Sequence, residues 1–130
     1  MRRLFVNPLQ MIKAMFTSAP RLSPADCAAR LRSGQAVLVD VRESGEWAEG
    51  VAKGAILLAL GDLTGSRAQW KPFLDGAADR EILLYCAAGG RSGIAARILA
   101  AEGFRVANTG GLGDWSGSGW PVVKPAEARR

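Results

Sequence analysis

Short apolar runs alternate with stretches whose apolar residues recur every three or four positions along most of this chain. Residues 36–41 (Ala-Val-Leu-Val-Asp-Val) and 81–85 (Glu-Ile-Leu-Leu-Tyr) are too brief for buried helices and rich in branched side chains. They read as parallel strands covered on both faces. Residues 55–60 and 104–107 predict two more strands. Between them, Ser23-Pro24 is a capping hydroxyl followed by proline, predicting a helix through 26–32 that stops at Gly34. A short helix over 43–49 closes at Gly50, and a surface helix over 62–73 turns Leu63, Trp70 and Phe73 inward. Residues 92–102 form the clearest helix, with Ile94, Ile98 and Leu99 on one face and Gly103 at its end. A Gly110-Gly111 turn and a short helix over 112–115 follow.

Such alternation predicts an α/β fold, a small parallel sheet with helices on both faces and right-handed crossovers. Ligands in such sheets bind at the carboxyl ends of the strands. One domain is expected over 21–123, with a loosely ordered extension over 1–20 and a tail over 124–130. The extension contains a weak amphipathic helix over 9–16, with Leu9, Ile12, Met15 and Phe16, that could touch a membrane or a partner. Asn7, Pro8, Gln10 and Lys13 interrupt its apolar positions, so it does not read as a secretory signal. No stretch approaches the ~20 apolar residues of a membrane span, and no stable membrane insertion is expected.

At 130 residues with 48% hydrophobic and 22% charged, the chain can bury a core and is not disordered as a whole. The net charge of +5 suggests nucleic acid until it is located. Arg2, Arg3, Lys13 and Arg21 stand in the first 21 residues with no acid, and Lys124, Arg129 and Arg130 stand in the tail. The body between is close to balanced, whereas a nucleic-acid domain carries a basic stripe on its folded elements. Nucleic acid is therefore not expected as a partner. Two cysteines, Cys27 and Cys86, do not make a disulfide framework and suit a reducing, cytoplasmic setting. The chain has no histidine, which excludes Cys–His and Ser–His pairs and imidazole metal sites. No metal or cofactor is expected.

Chemistry concentrates in Tyr85-Cys86-Ala87-Ala88-Gly89-Gly90-Arg91-Ser92. A buried strand ends, a nucleophile follows, two glycines permit positive φ, and a helix begins. Such a turn aims successive N–H groups at one point, and the helix terminus adds positive charge there. A thiol at that point should lose its proton more easily than a free one, without an imidazole base. Cys27, among alanines in the first helix, reads as core packing. Arg91 either points into the cup or, as we favour, braces the loop by pairing with Asp40 or Glu46. Asp40 and Arg42, at the end of a strand, are expected to support the site; ordinary surface ion pairing is the alternative.

This segment resembles the active-site loop of the rhodanese family, in which a cysteine and four residues lead through an arginine or small polar residue into a helix. Other stretches agree in order: Ser23-Pro24-Ala25-Asp26 with the family's opening helix, and Asp40-Val41-Arg42 with its Asp-Val-Arg strand end. Residues 49–55, Gly110-Gly111 with Trp115, and Trp120-Pro121-Val122 also match family segments. The match covers roughly 21–123. Val51 stands where the family commonly has histidine, and Ala87 and Ala88 replace the charged loop residues of many thiosulfate users.

The resemblance implies a sulfurtransferase. Cys86 would take a sulfane sulfur from a small donor such as thiosulfate, hold it as a persulfide among residues Ala87, Ala88, Gly89, Gly90, Arg91 and Ser92, and pass it to cyanide or to a thiol, small or on a protein. The rivals are a non-catalytic rhodanese-like binding module and a Cys-loop phosphatase. Phosphatase loops place five residues between cysteine and arginine, where this chain has four.

Overall fold

A computed structural model describes residues 7–77 and 79–128. Four parallel strands form the sheet: β1 (Ala36–Asp40), β3 (Ile56–Leu57), β4 (Glu81–Cys86) and β5 (Val106–Gly111), in the order β3-β1-β4-β5. A separate antiparallel pair joins β2 (Val51–Ala52) to β6 (Val122–Val123). This is the predicted α/β architecture.

Alternation along β1 and β4 sorts the core into two layers. Val37, Val39, Ile82, Leu84 and Cys86 face one side, where helices α1 (Pro8–Met15), α4 (Leu60–Leu63), α5 (Trp70–Asp75) and α6 (Gly90–Ala101) pack. Ala36, Leu38, Leu83 and Tyr85 face the other, against α2 (Pro24–Arg32), α7 (Leu112–Gly117) and β2. The remaining helix, α3 (Ser44–Trp47), follows β1, and a 3-10 turn (Pro125–Glu127) closes the described chain.

Several expectations need correction. The single helix expected over 62–73 is two short helices, α4 and α5. They are separated at Arg67, whose φ is +61°, with its buried guanidinium donating to the Leu63 carbonyl and both Glu102 oxygens. The strand over 55–60 shrinks to Ile56–Leu57; Leu58 and Leu60 still donate to Asp40 and Val41, but α4 has begun. The strand over 104–107 starts later and runs through the glycines expected to turn.

The loose extension expected over 1–20 does not describe residues 7–20. Asn7 caps α1 by accepting from Gln10 N–H, the Gln10 side chain returns the bond, and Ala14 and Met11 pack into the core beside α6. The inward residues, small or flexible, fit a groove that a polarity pattern alone does not show. Residues 1–6 and 129–130 lie outside the described residues, and with them Arg2, Arg3, Arg129 and Arg130. Within the tail, the 3-10 turn delivers a buried Ala128, whose carbonyl accepts from Gly54 N–H.

Candidate functional site

Cys86 ends β4 with its side chain on the α6 face, 1% exposed. The chain then turns through Ala87 and Ala88 to Gly89, which at φ +104° caps α6 in a conformation only glycine adopts easily. That turn aims Gly89 N–H at the sulfur, 3.0 Å away. The helix begins at Gly90, two residues before the expected position, so the end of the loop is itself the first helical turn. The Ser92 N–H of that first turn therefore joins those of Ala88 and Gly89 at the sulfur.

Burial alone would raise the Cys86 pKa. Hydrogen bonds from the Ser92 hydroxyl and from the N–H groups of Ser92, Ala88 and Gly89 outweigh it, and the thiol is held below its ordinary value. Cys27 has no such donors. It is fully buried, and desolvation pushes it up to about 11, leaving it a neutral thiol.

Ser92 is also fully buried. Its hydroxyl lies 2.7 Å from Asn108 Oδ1, 3.4 Å from Cys86 Sγ and 3.4 Å from the Gly110 carbonyl. Asn108 is held in turn: its Nδ2 donates to the Gly89 carbonyl at 3.0 Å, and its Oδ1 accepts from Gly110 N–H at 3.1 Å. Asn108 thus ties the loop, the start of α6 and the end of β5 together. Sequence reading missed it; a polar Asn-Thr pair following the apolar Val106-Ala107 was the available signal.

Arg91 is paired with a carboxylate and makes no hydrogen bond to the sulfur. Its guanidinium makes a two-pronged pair with Glu46, at 2.6 and 2.9 Å, leaving both side chains about a third exposed. Arg91, with Glu43 N–H also donating, holds the Glu46 carboxyl down to about 2. Asp40 does not reach Arg91. It is fully buried and accepts from Arg42 Nε and Nη2, from Arg42 N–H and from Trp47 Nε1. Arg42 also donates to the Gly50 carbonyl at 2.6 Å. This pair is interior rather than superficial, and it fixes α3, the helix that presents Glu46. Tyr85 lies beside it, its hydroxyl accepting from Ala52 N–H; burial and the Asp40 charge push its pKa far up, so it stays neutral.

Two close approaches frame the loop. β4 advances two residues from Leu84 to Cys86 while β5 advances three from Asn108 to Gly111, a bulge that sets Gly111 opposite Cys86. A methyl group on Gly111 would strike the Ala87 carbonyl. On the outer side, the exposed Arg21 lies against Gly89 and Gly110, its Nη1 3.0 Å from where a Gly89 Cβ would stand. Ala87, Ala88 and Gly90 are exposed at the mouth. A hollow of about 940 Å³ lies elsewhere, bordered by Ala36, Leu57, Phe73 and Trp120, and does not include Cys86. The sulfur lies instead in the cup of amides formed by the 87–91 loop and the first turn of α6.

The model of the rhodanese-like domain matches residues 23–118. The chain belongs to the rhodanese-like family. A rhodanese-related protein from Thermoplasma volcanium shares 28% identity over 80% of this chain and 97% of its own, with a TM-score of 0.66. A rhodanese with anions from E. coli shares 29% over 68% of this chain and 96% of its own, at 0.56. A Rhodopseudomonas palustris protein of unknown function, described as a possible tyrosine phosphatase, shares 28% over 95% of this chain and 99% of its own, at 0.69. No curated protein matches the chain. Among the described residues of this rhodanese-like domain, no cluster of His, Cys, Asp and Glu could hold a metal ion.

Proposed function

We propose that this rhodanese-like protein is a sulfurtransferase that carries a sulfane sulfur on Cys86 as a persulfide. The donor is small, thiosulfate being the simplest, and the acceptor is cyanide or a thiol on a small molecule or protein. The observation that carries this reading is the 3.0 Å bond from Gly89 N–H to Cys86 Sγ at the head of α6. It favours a negative sulfur where burial alone would disfavour one.

In the first half-reaction the Cys86 thiolate attacks the outer sulfur of thiosulfate. A sulfur–sulfur bond forms, the bond from the outer sulfur to the sulfonate sulfur breaks, and sulfite leaves with that electron pair. No proton moves, so the absence of histidine costs nothing. The persulfide is an anion, and the amides of Ala88, Gly89 and Ser92 that favour the thiolate favour it as well. In the second half the acceptor attacks the outer sulfur and Cys86 leaves as thiolate; with cyanide the product is thiocyanate. Donor and acceptor use the same small cup in turn, a ping-pong scheme. A reducing cytoplasm, which keeps both thiols free, suits this chemistry.

Two observations speak against phosphoryl transfer despite the description of the R. palustris relative. Four residues separate Cys86 from Arg91, and Arg91 is committed to Glu46 rather than to a group in the cup. A pure binding module has no use for a depressed thiol pKa.

Intact mass spectrometry tests the reading. After incubation with thiosulfate or mercaptopyruvate, the chain should gain the mass of one sulfur atom, lose it to cyanide, and gain nothing as folded Cys86→Ser. No gain from either donor, or a gain that persists in the variant, would end the proposal.

A further inference from the structure

We propose that the outer face of α1 docks on an anionic phospholipid membrane, holding the domain there as a peripheral protein. The inner face of this helix is already used, by Ala14 and Met11 against the core. Its outer face is also apolar. Leu9, Ile12 and Phe16, at i, i+3 and i+7, are 76%, 52% and 84% exposed, with Met15 beside them at 71%. Among the described residues, only two other large hydrophobic side chains are exposed, both less so, Ile94 at 37% and Val122 at 42%, and Ile94 lies on α6, the helix that α1 packs against. Scattered apolar residues on a surface need no explanation, but a continuous stripe on a helix does.

Charge selects the occupant. Arg2, Arg3, Lys13 and Arg21 fall in the same segment with no acid among the first 21 residues. The hollow between residues 18–21 and α6 is lined by Arg21 and Arg97 with no carboxylate, and Glu102, at the far end of α6, is taken by Arg67. Two copies meeting through α1 would press two cationic segments together. Lipid headgroups of negative charge neutralise the same segment while the acyl boundary takes up Leu9, Ile12, Met15 and Phe16. No helix of the described residues is long and apolar enough to cross a membrane, so the contact is superficial.

Co-sedimentation of the full chain with phosphatidylcholine vesicles, with and without phosphatidylglycerol, tests this independently of sulfur transfer. Binding should be about tenfold stronger to the anionic vesicles and weaken as salt is added. The double variant Ile12→Gln with Phe16→Gln changes only exposed side chains, so it should melt like the parent and bind no better than the parent binds neutral vesicles. Absence of binding, equal binding to both vesicles, or undiminished binding by the variant would overturn the proposal. So would a parent that is dimeric by light scattering and ignores vesicles while the variant is monomeric; the face would then belong to a second copy.

Discussion

Ser92 has one proton and three acceptors within reach, and that imbalance explains its place in the site. At 2.7 Å the Asn108 oxygen is the nearest, so the hydroxyl has a resting partner while Cys86 is neutral. Once the sulfur is charged, a rotation about one bond gives it the proton, and Asn108 Oδ1 keeps its bond from Gly110 N–H. Ser92→Ala should therefore raise the Cys86 pKa while costing about 1 kcal/mol of stability. The pH midpoint of the alkylation rate at Cys86 measures this directly. An unmoved midpoint would assign the whole effect to the backbone amides. Ser92 could be named from sequence because it follows Cys86 in an unbroken loop. Asn108 could not, because only the pairing of β5 with β4 brings it beside that loop.

At the scale of elements, the cup is made by a strand end, a helix start and the bulged end of a neighbouring strand, and each has its own tolerance. Gly111 has φ −116°, which any residue can adopt, so its requirement is for space alone. Gly111→Ala pushes the Ala87 carbonyl and should cost about 2 kcal/mol, within the range for overpacking a tight contact, and should slow alkylation of Cys86. Gly113→Ala, at the exposed second residue of α7 with nothing within 4 Å, is the control and should be neutral or slightly stabilising. Equal melting temperatures for the two variants would show that β5 yields freely to the loop. The same contrast explains which elements were legible. β1, β4 and α6 were readable because their patterns are continuous, although Ile94, expected on the inner face of α6, is exposed. The division of 62–73 was hidden because Arg67 finds its partner, Glu102, 35 residues along the chain. The β2–β6 pair, joining residues 51–52 to 122–123, gives no local signal in two-residue strands.

For the molecule as a whole, the sheet is a partition between its two thiols. Cys86 belongs to the layer under α6, with amide donors around its sulfur; Cys27 belongs to the layer under α2, fully buried among Leu38, Leu83 and Trp115. A disulfide needs its two Cα atoms within about 7 Å, which side chains on opposite faces of a sheet do not offer. A sulfur relay from one thiol to the other would require the core to open. Cys27→Ala should then cost about 1 kcal/mol for the atom lost from a packed site, leaving persulfide loading on Cys86 and its removal by cyanide at the parental rates. Alkylation of the native chain should add one group, at Cys86, and the second only on unfolding, because a thiol pushed to about 11 and shut from solvent offers almost no thiolate near neutrality. Peptide mapping after brief treatment with iodoacetamide reads both sites at once. Fast labelling of Cys27 in the folded protein, or a Cys27→Ala variant that loads but fails to release sulfur, would mean that the two layers communicate and that the second cysteine takes part in the transfer.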